Sequence, residues 1–237
     1  MISAILRAVS SAVHVLGFKG GTALTKPAQK SPPPKRLKDC IWVNKEDRCT
    51  ALFWGEKQMP QGFIGEEFTD HLKDAIGKPG DMQDWELVLV LDSFGGDARR
   101  AQYTMYLLDK VRQEGGRITV IVEGKACSVA SLLAVAGDKG SRYLLNEGYI
   151  GTHGNVPDST HPFGGELAVE TNQWQTETFS HFTGQPETET SQWVPSQTMR
   201  IFRNDEAVHC GLVDAVGIPQ KYEKLMLLKD GDSLEKE

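Results

Sequence analysis

The run "ELVLVLDS" (86–93) constrains this chain more than any other stretch. Its apolar residues are consecutive, so a strand here has no face to give to water and must be covered on both sides, as strands of a parallel sheet are. It ends in the Gly95-Gly96 turn, and Ala101, Met105, Leu108 and Val111 then recur at helical spacing behind Asp97, a residue suited to cap that helix. "RITVIVEG" (117–124) reads as the next strand, and "SVASLLAVAG" (128–137) as the next helix, stopped by Gly137. Strand, helix, strand, helix is the signature of an α/β fold with helices packed on a sheet.

The remaining elements follow the same logic. "ALFWGE" (51–56) reads as a buried strand, and "GEEFTDHLKDAI" (65–76) as a helix with Phe68, Leu72 and Ile76 on one face. "SRYLLN" (141–146) and "YIGTH" (149–153) read as short strands, and "GELAVETNQWQTETFSHF" (165–182) as a long helix. A short helix near 204–210 leads into "GLVDAVG" (211–217), a strand. Residues 1–38 are set apart by "TKPAQKSPPPKRLK" (25–38), whose consecutive prolines favour extended geometry. They read as a basic, Pro-rich arm or a mitochondrial-type targeting segment, too short and too polar in its apolar part to span a membrane. Residues 39–237 read as a single domain.

Charge and cysteines narrow the function classes. Residues 1–38 carry seven basic groups and no carboxylate, so the chain's net −6 leaves −13 on residues 39–237. An acidic body argues against nucleic acid as the principal partner. Cys40, Cys49, Cys127 and Cys210 form no CxxC pair and read as reduced thiols of an intracellular protein, cytoplasmic or, if the arm is a transit peptide, in the mitochondrial matrix. No HxxxH or HExxH relates the six histidines, so neither a metal nor another cofactor is expected.

In α/β folds, sites form at the carboxyl ends of strands, where helix N-termini present free backbone N–H groups. Two places have that form here: Gly95-Gly96 after strand 86–93, and Ser128 after strand 117–123. Serine at a helix start is ordinarily a cap; a nucleophile placed on a cap is the alternative.

Five stretches resemble, in order and spacing, the proteolytic subunits of Clp proteases: "DSFGGD" (the family's NSPGG turn), "ACSVASLLAVAGDKGSR", "YIGTHG", "HFTGQ" and "EAVHCGLVD". The resemblance covers about residues 50–220 and implies a crotonase/ClpP-like fold of repeated β-β-α units with a long handle helix. It implies a serine endopeptidase acting on unfolded polypeptides inside a homo-oligomeric, heptameric-type ring, single or stacked, fed by an AAA+ unfoldase. That partner would use the ATP, since no GxxxxGK[ST] occurs here. Ser128 would be the nucleophile and His153, 25 residues later as in the family, the general base. The N–H groups of Gly96 and Val129 would form the oxyanion hole. Gly95 and Gly154 would contact substrate, an extended peptide adding to strand edges near 148–165. Cys127 and Lys125 flank the serine: Cys127 reads as a small core residue, and Lys125, which could suggest a Ser–Lys dyad, as pointing away.

The chain departs from the family at the triad acid. The position, twelve residues before the glycine of the GLVD block, is Met199, and "PSQTMRIFRN" (195–204) holds no carboxylate. Asp205 and Asp158 are the alternatives for a third member; otherwise a backbone carbonyl orients the histidine, or the chain is inactive. Two other functions stay open: a catalytically silent subunit of a mixed ring, and a crotonase-type acyl-CoA enzyme, which shares the fold but has no use for the Ser–His spacing.

Overall fold

The computed structural model describes residues 40–228 except 79, 158–159, 161–163 and 196–197. Their strands are β1 (Ile41–Asn44), β2 (Cys49–Trp54), β3 (Glu86–Ser93), β4 (Arg117–Cys127), β5 (Arg142–Leu144), β6 (Tyr149–Thr152), β7 (Arg200–Phe202) and β8 (Ala215–Val216). The helices are α1 (Glu66–Gly77), α2 (Ala98–Gln113), α3 (Val129–Val135), α4 (Gly164–Thr183), α5 (Glu187–Thr190), α6 (Asn204–His209) and α7 (Glu223–Leu228). This is the α/β architecture with a long helix that the sequence leads one to expect.

The strands form one sheet in the order β1-β2-β3-β4-β5-β8, with β6 joined to β4 and β7 to β6. β2, β3 and β4 run parallel. The apolar run of β3 is continuous because both of its faces are covered. Leu87, Leu89 and Leu91 enter the larger core with Ile118, Val120 and Val122, while Val88 and Val90 enter a second core with Phe53, Ile121, Tyr222 and Leu225. Asp97 caps α2 as expected, its Oδ1 accepting from the N–H groups of Arg99 at 2.8 Å and Arg100 at 3.0 Å. Every residue of α3 is buried.

β4 is the strand that positions the site. It is 11 residues long and gives its early part, Val120–Val122, to β5 and its late part, Lys125–Cys127, to β6. The changeover lies at Gly124, where a Cβ would sit 2.6 Å from Asp92 Oδ1, so only glycine admits that carboxylate. Asp92 in turn accepts from the backbone N–H of Lys125 at 3.2 Å, and β3 shifts register against β4 between Leu91 and Ser93.

Two differences from the sequence reading have physical causes. β1, a half-buried edge strand, goes unmarked by hydrophobic pattern. β8 is shorter than 211–217 because the backbone of its first half is committed elsewhere: the N–H groups of Leu212 and Val213 donate to the Ala207 carbonyl. Asp214 there grips Arg142, taking Nε at 2.9 Å and Nη2 at 2.6 Å, while Arg142 Nη1 donates to the carbonyls of Phe182 and Gly211.

Burial alone would raise the Asp214 pKa, but Arg142 outweighs it and holds the carboxyl below its ordinary value. Both side chains are largely sequestered, so removing one leaves the other charged and unpaired. Asp214→Ala should therefore lower stability by about 3–5 kcal/mol in urea denaturation; a loss below about 1 kcal/mol would contradict this role. With a folded pKa below the unfolded one, the carboxylate's contribution is full above about pH 4 and is lost as pH falls through the folded value. The gap between wild type and Asp214→Asn should accordingly narrow in acid.

Candidate active site

The carboxyl ends of β3, β4 and β6 lie side by side and carry the residues singled out above. After β3, the Ser93 hydroxyl accepts from the Gly95 N–H at 3.0 Å and donates to the Gly62 carbonyl at 2.5 Å, fixing the Gly95-Gly96 turn against the residue 60–62 turn. Ile64 pairs with Gly96 as an isolated parallel bridge, its N–H donating to Gly95 O at 2.8 Å and its carbonyl accepting from the Asp97 N–H at 2.9 Å. A Cβ on Gly96 would fall 2.2 Å from Ile64 O, and one on Gly95, at φ +115°, would fall 2.6 Å from the Ser128 Cβ. Both glycines are required by close approach. Backbone alternation turns the Gly96 N–H away from Ile64.

Ser128 stands at the N-cap of α3 but does not act as a cap: its side chain makes no capping hydrogen bond, and its backbone has φ 53° and ψ −128°. Ordinary L residues avoid that region, at about 1–3 kcal/mol. Its N–H donates to Gly151 O at 2.8 Å, tying the end of β4 to β6. In the register Cys127↔Gly151, a strand continued through residue 128 would face its side chain opposite to that of residue 153; the positive φ breaks this alternation. Among the described residues no side chain hydrogen-bonds the Ser128 hydroxyl. The Val129 N–H, at the first helical position, has no helical acceptor preceding it.

His153 follows β6 directly and is half-buried. Its Nδ1 lies 2.8 Å from Gly154 O. A carbonyl only accepts, so Nδ1 carries the proton and Nε2 of the neutral ring keeps its lone pair.

Among the described residues no carboxylate hydrogen-bonds His153. β7 runs antiparallel to β6 with Thr152↔Arg200 and Ile150↔Phe202, so one further step of register sets Met199 across from His153. The methionine folds over Gly151, where a Cβ would fall 2.6 Å from its Sδ and 3.0 Å from Cys127 Sγ. Asp205 lies in the first turn of α6, beyond the opposite end of β7. Asp158 lies outside the described residues.

Most of the remaining candidates are committed to the scaffold. Of the stretch 148–165 expected to receive a peptide, strand β6 (Tyr149–Thr152) offers no free edge, because it is hydrogen-bonded to β4 on one side and β7 on the other. Gly95 and Gly154 spend their backbones on the scaffold: the Gly154 N–H donates to Pro195 O at 2.7 Å. Lys125 is no base, as Nζ sits 3.0 Å from Asp92 and 3.4 Å from Glu56 and over the Phe94 ring. Burial pulls its pKa down, yet the two carboxylates prevail and raise it. Burial pushes the Cys127 thiol up, in keeping with a core residue. No cluster of metal-ligating side chains occurs among the described residues. One participant the sequence did not mark is Asn172 of α4, whose amide bonds the backbone of Asn155; its only signal is that asparagine is a poor helix former.

The sequence matches the family model for Clp protease over residues 80–220. No curated protein matches it. Among solved structures, a peptidase from Plasmodium falciparum superposes with a TM-score of 0.57 at 16% identity, covering 73% of this chain and 97% of that one. A second structure, described as an enzyme, gives the same values. Identity this low speaks to the fold alone, but the family match spans more than half of the sequence and includes both the Gly95-Gly96 turn and the Ser128 and His153 segments. The chain belongs to the Clp protease family.

Proposed function

We propose that this chain is a serine-type endopeptidase that cleaves unfolded polypeptides by acyl transfer through Ser128, with His153 as general base. The observation that carries the reading is the Ser128 backbone: φ 53° at a helix start whose hydroxyl caps nothing. A serine kept there for helix stability would make the capping bond, worth about 1 kcal/mol. This one forgoes it and takes on backbone strain, as a serine on a sharp strand-to-helix turn does when its hydroxyl is presented to substrate.

In the proposed reaction, His153 Nε2 takes the hydroxyl proton as Oγ adds to the scissile carbonyl carbon. The negative charge on the carbonyl oxygen is received by the N–H groups of Gly96 and Val129, helped by the amino end of α3. Collapse breaks the C–N bond, with the proton passing from His153 to the leaving amine. Water then adds to the acyl-enzyme by the same route and releases Ser128. A homo-oligomeric ring fed by an AAA+ unfoldase, and a cytoplasmic or mitochondrial setting, belong to the same reading and rest on family membership. Among the described residues no helix is long and apolar enough to cross a membrane.

A second reading, a catalytically silent ring subunit, draws on Met199 standing where the family has its acid. The same experiment divides the two. A fluorophosphonate probe should label the wild-type chain at Ser128, and Ser128→Ala should lose both labelling and peptide cleavage. An assembled wild type that takes up no probe would favour the silent subunit.

Met199→Asp sets a carboxylate opposite His153. It should raise kcat/KM about tenfold or more, a part of the ~10⁴ that a triad aspartate contributes; an unchanged rate would remove residue 199 as the missing acid's place. Native mass spectrometry should find a ring of identical subunits, whereas a stable monomer would count against compartmentalised cleavage.

A further inference from the structure

The hydrogen bond from His153 Nδ1 to the Gly154 carbonyl is the one that the described residues offer this ring, and that carbonyl is itself held. The Gly154 C=O and the Asn155 N–H are the two ends of one planar peptide unit and point in opposite directions. The N–H end donates to Asn172 Oδ1 at 2.6 Å. Asn172 Oδ1 also lies 3.5 Å from Asn155 Nδ2, and Asn172 Nδ2 donates to Asn155 O at 3.3 Å, so the side-chain amide grips residue 155 at three points. The packing is close: a Cβ on Gly154 would sit 3.0 Å from Asn172 Oδ1. On the preceding peptide, the Gly154 N–H is pinned to Pro195 O at 2.7 Å.

We propose that Asn172 is a positioning residue for the general base. Resting on the Ser128–His153 reading, the proposal is that Asn172 fixes the N–H end of the Gly154–Asn155 peptide, whose C=O end holds His153 in the Nδ1–H tautomer with Nε2 free. Rigidity of the peptide plane transmits the hold, since clamping one end fixes the direction of the other. Polarisation adds to it, because a peptide whose N–H is donated has a more strongly accepting carbonyl. The device supplies two services of a triad carboxylate, tautomer choice and ring orientation, from a neutral side chain on α4 that touches neither substrate nor imidazole.

The test uses the full chain labelled with ¹⁵N-histidine and magic-angle-spinning NMR of the ring nitrogens at about pH 8, where imidazole is neutral. His153→Gln assigns its signals among the six histidines. kcat and KM on a fluorogenic peptide are measured alongside. Wild-type His153 should be protonated at Nδ1. Asn172→Leu, similar in volume but unable to hydrogen-bond, should populate both tautomers and lower kcat by about tenfold or more with KM little changed, within the 10²–10⁴ that a positioned base contributes. Asn172→Asp keeps an oxygen for the Asn155 N–H and should hold the tautomer and stay within about threefold of wild-type kcat. Protonation of wild-type His153 at Nε2 would overturn the proposal without any variant. So would an Asn172→Leu protein with wild-type tautomer and rate, or an Asn172→Asp protein that fails as Asn172→Leu does. A wild type that neither cleaves peptide nor takes up the fluorophosphonate probe sinks the peptidase reading instead, and the tautomer measurement still decides what Asn172 holds.

Discussion

One strand serving two neighbours is the constraint on which the rest of the structure depends. β4 pairs with β5 and then with β6, and the change is made at Gly124, where Asp92 of β3 occupies the space a side chain would need. Because the late part of β4 lies against β6, the Ser128 N–H reaches Gly151 O and the chain segments after both strands emerge together. Helix α3 starts at that point with all seven residues buried. Burying a valine or leucine contributes about 1.5–3 kcal/mol each. The ~1–3 kcal/mol of strain at Ser128 is therefore small beside the packing that imposes it.

Charge around the site is arranged so that few groups remain chemically available. Lys125 is neutralised by Asp92 and Glu56, and Arg142 is spent on Asp214 and on two carbonyls across the fold. Cys127, next to the serine, is kept as a thiol by burial. Among the described residues, what is left at the ends of β3, β4 and β6 is a hydroxyl, an imidazole with one nitrogen committed, and backbone N–H groups. The proposed acyl transfer needs those and nothing that is missing from the list except an anion for the imidazolium.

Much of this was legible in the sequence, and the reasons differ by residue. β3 and β4 were legible because burial on both faces writes an unbroken apolar run, and α2 because Asp97 caps an i, i+4 pattern. Ser128 and His153 stood out in the sequence as candidates by their spacing, and the structure sets them after the adjacent strands β4 and β6, with Met199 across from the histidine in the β6–β7 register. The covered edge of β6 was not legible, because β7 comes from a segment nearly fifty residues away and sequence pattern does not encode which strands pair. Neither was the failure of Ser128 to cap, a matter of backbone torsion. Asn172 left almost no trace, since its partner is the backbone of Asn155, and a bond to backbone demands nothing of the partner's identity.

Among the described residues no carboxylate hydrogen-bonds His153, and the lack of one need not carry its full penalty. In serine proteases where the triad aspartate becomes asparagine, the ~10⁴ loss of turnover is tied to the wrong histidine tautomer in an otherwise intact geometry. Here a carbonyl stands at Nδ1, and a carbonyl admits only the correct tautomer. What it cannot supply is a full negative charge to stabilise the imidazolium that forms when Ser128 gives up its proton. A charge-assisted hydrogen bond is roughly twice as strong as a neutral one, so replacing carboxylate by carbonyl weakens that stabilisation without abolishing it. The proposed dyad should thus work more slowly than a triad on the same scaffold while keeping the orientation that the triad's acid would provide.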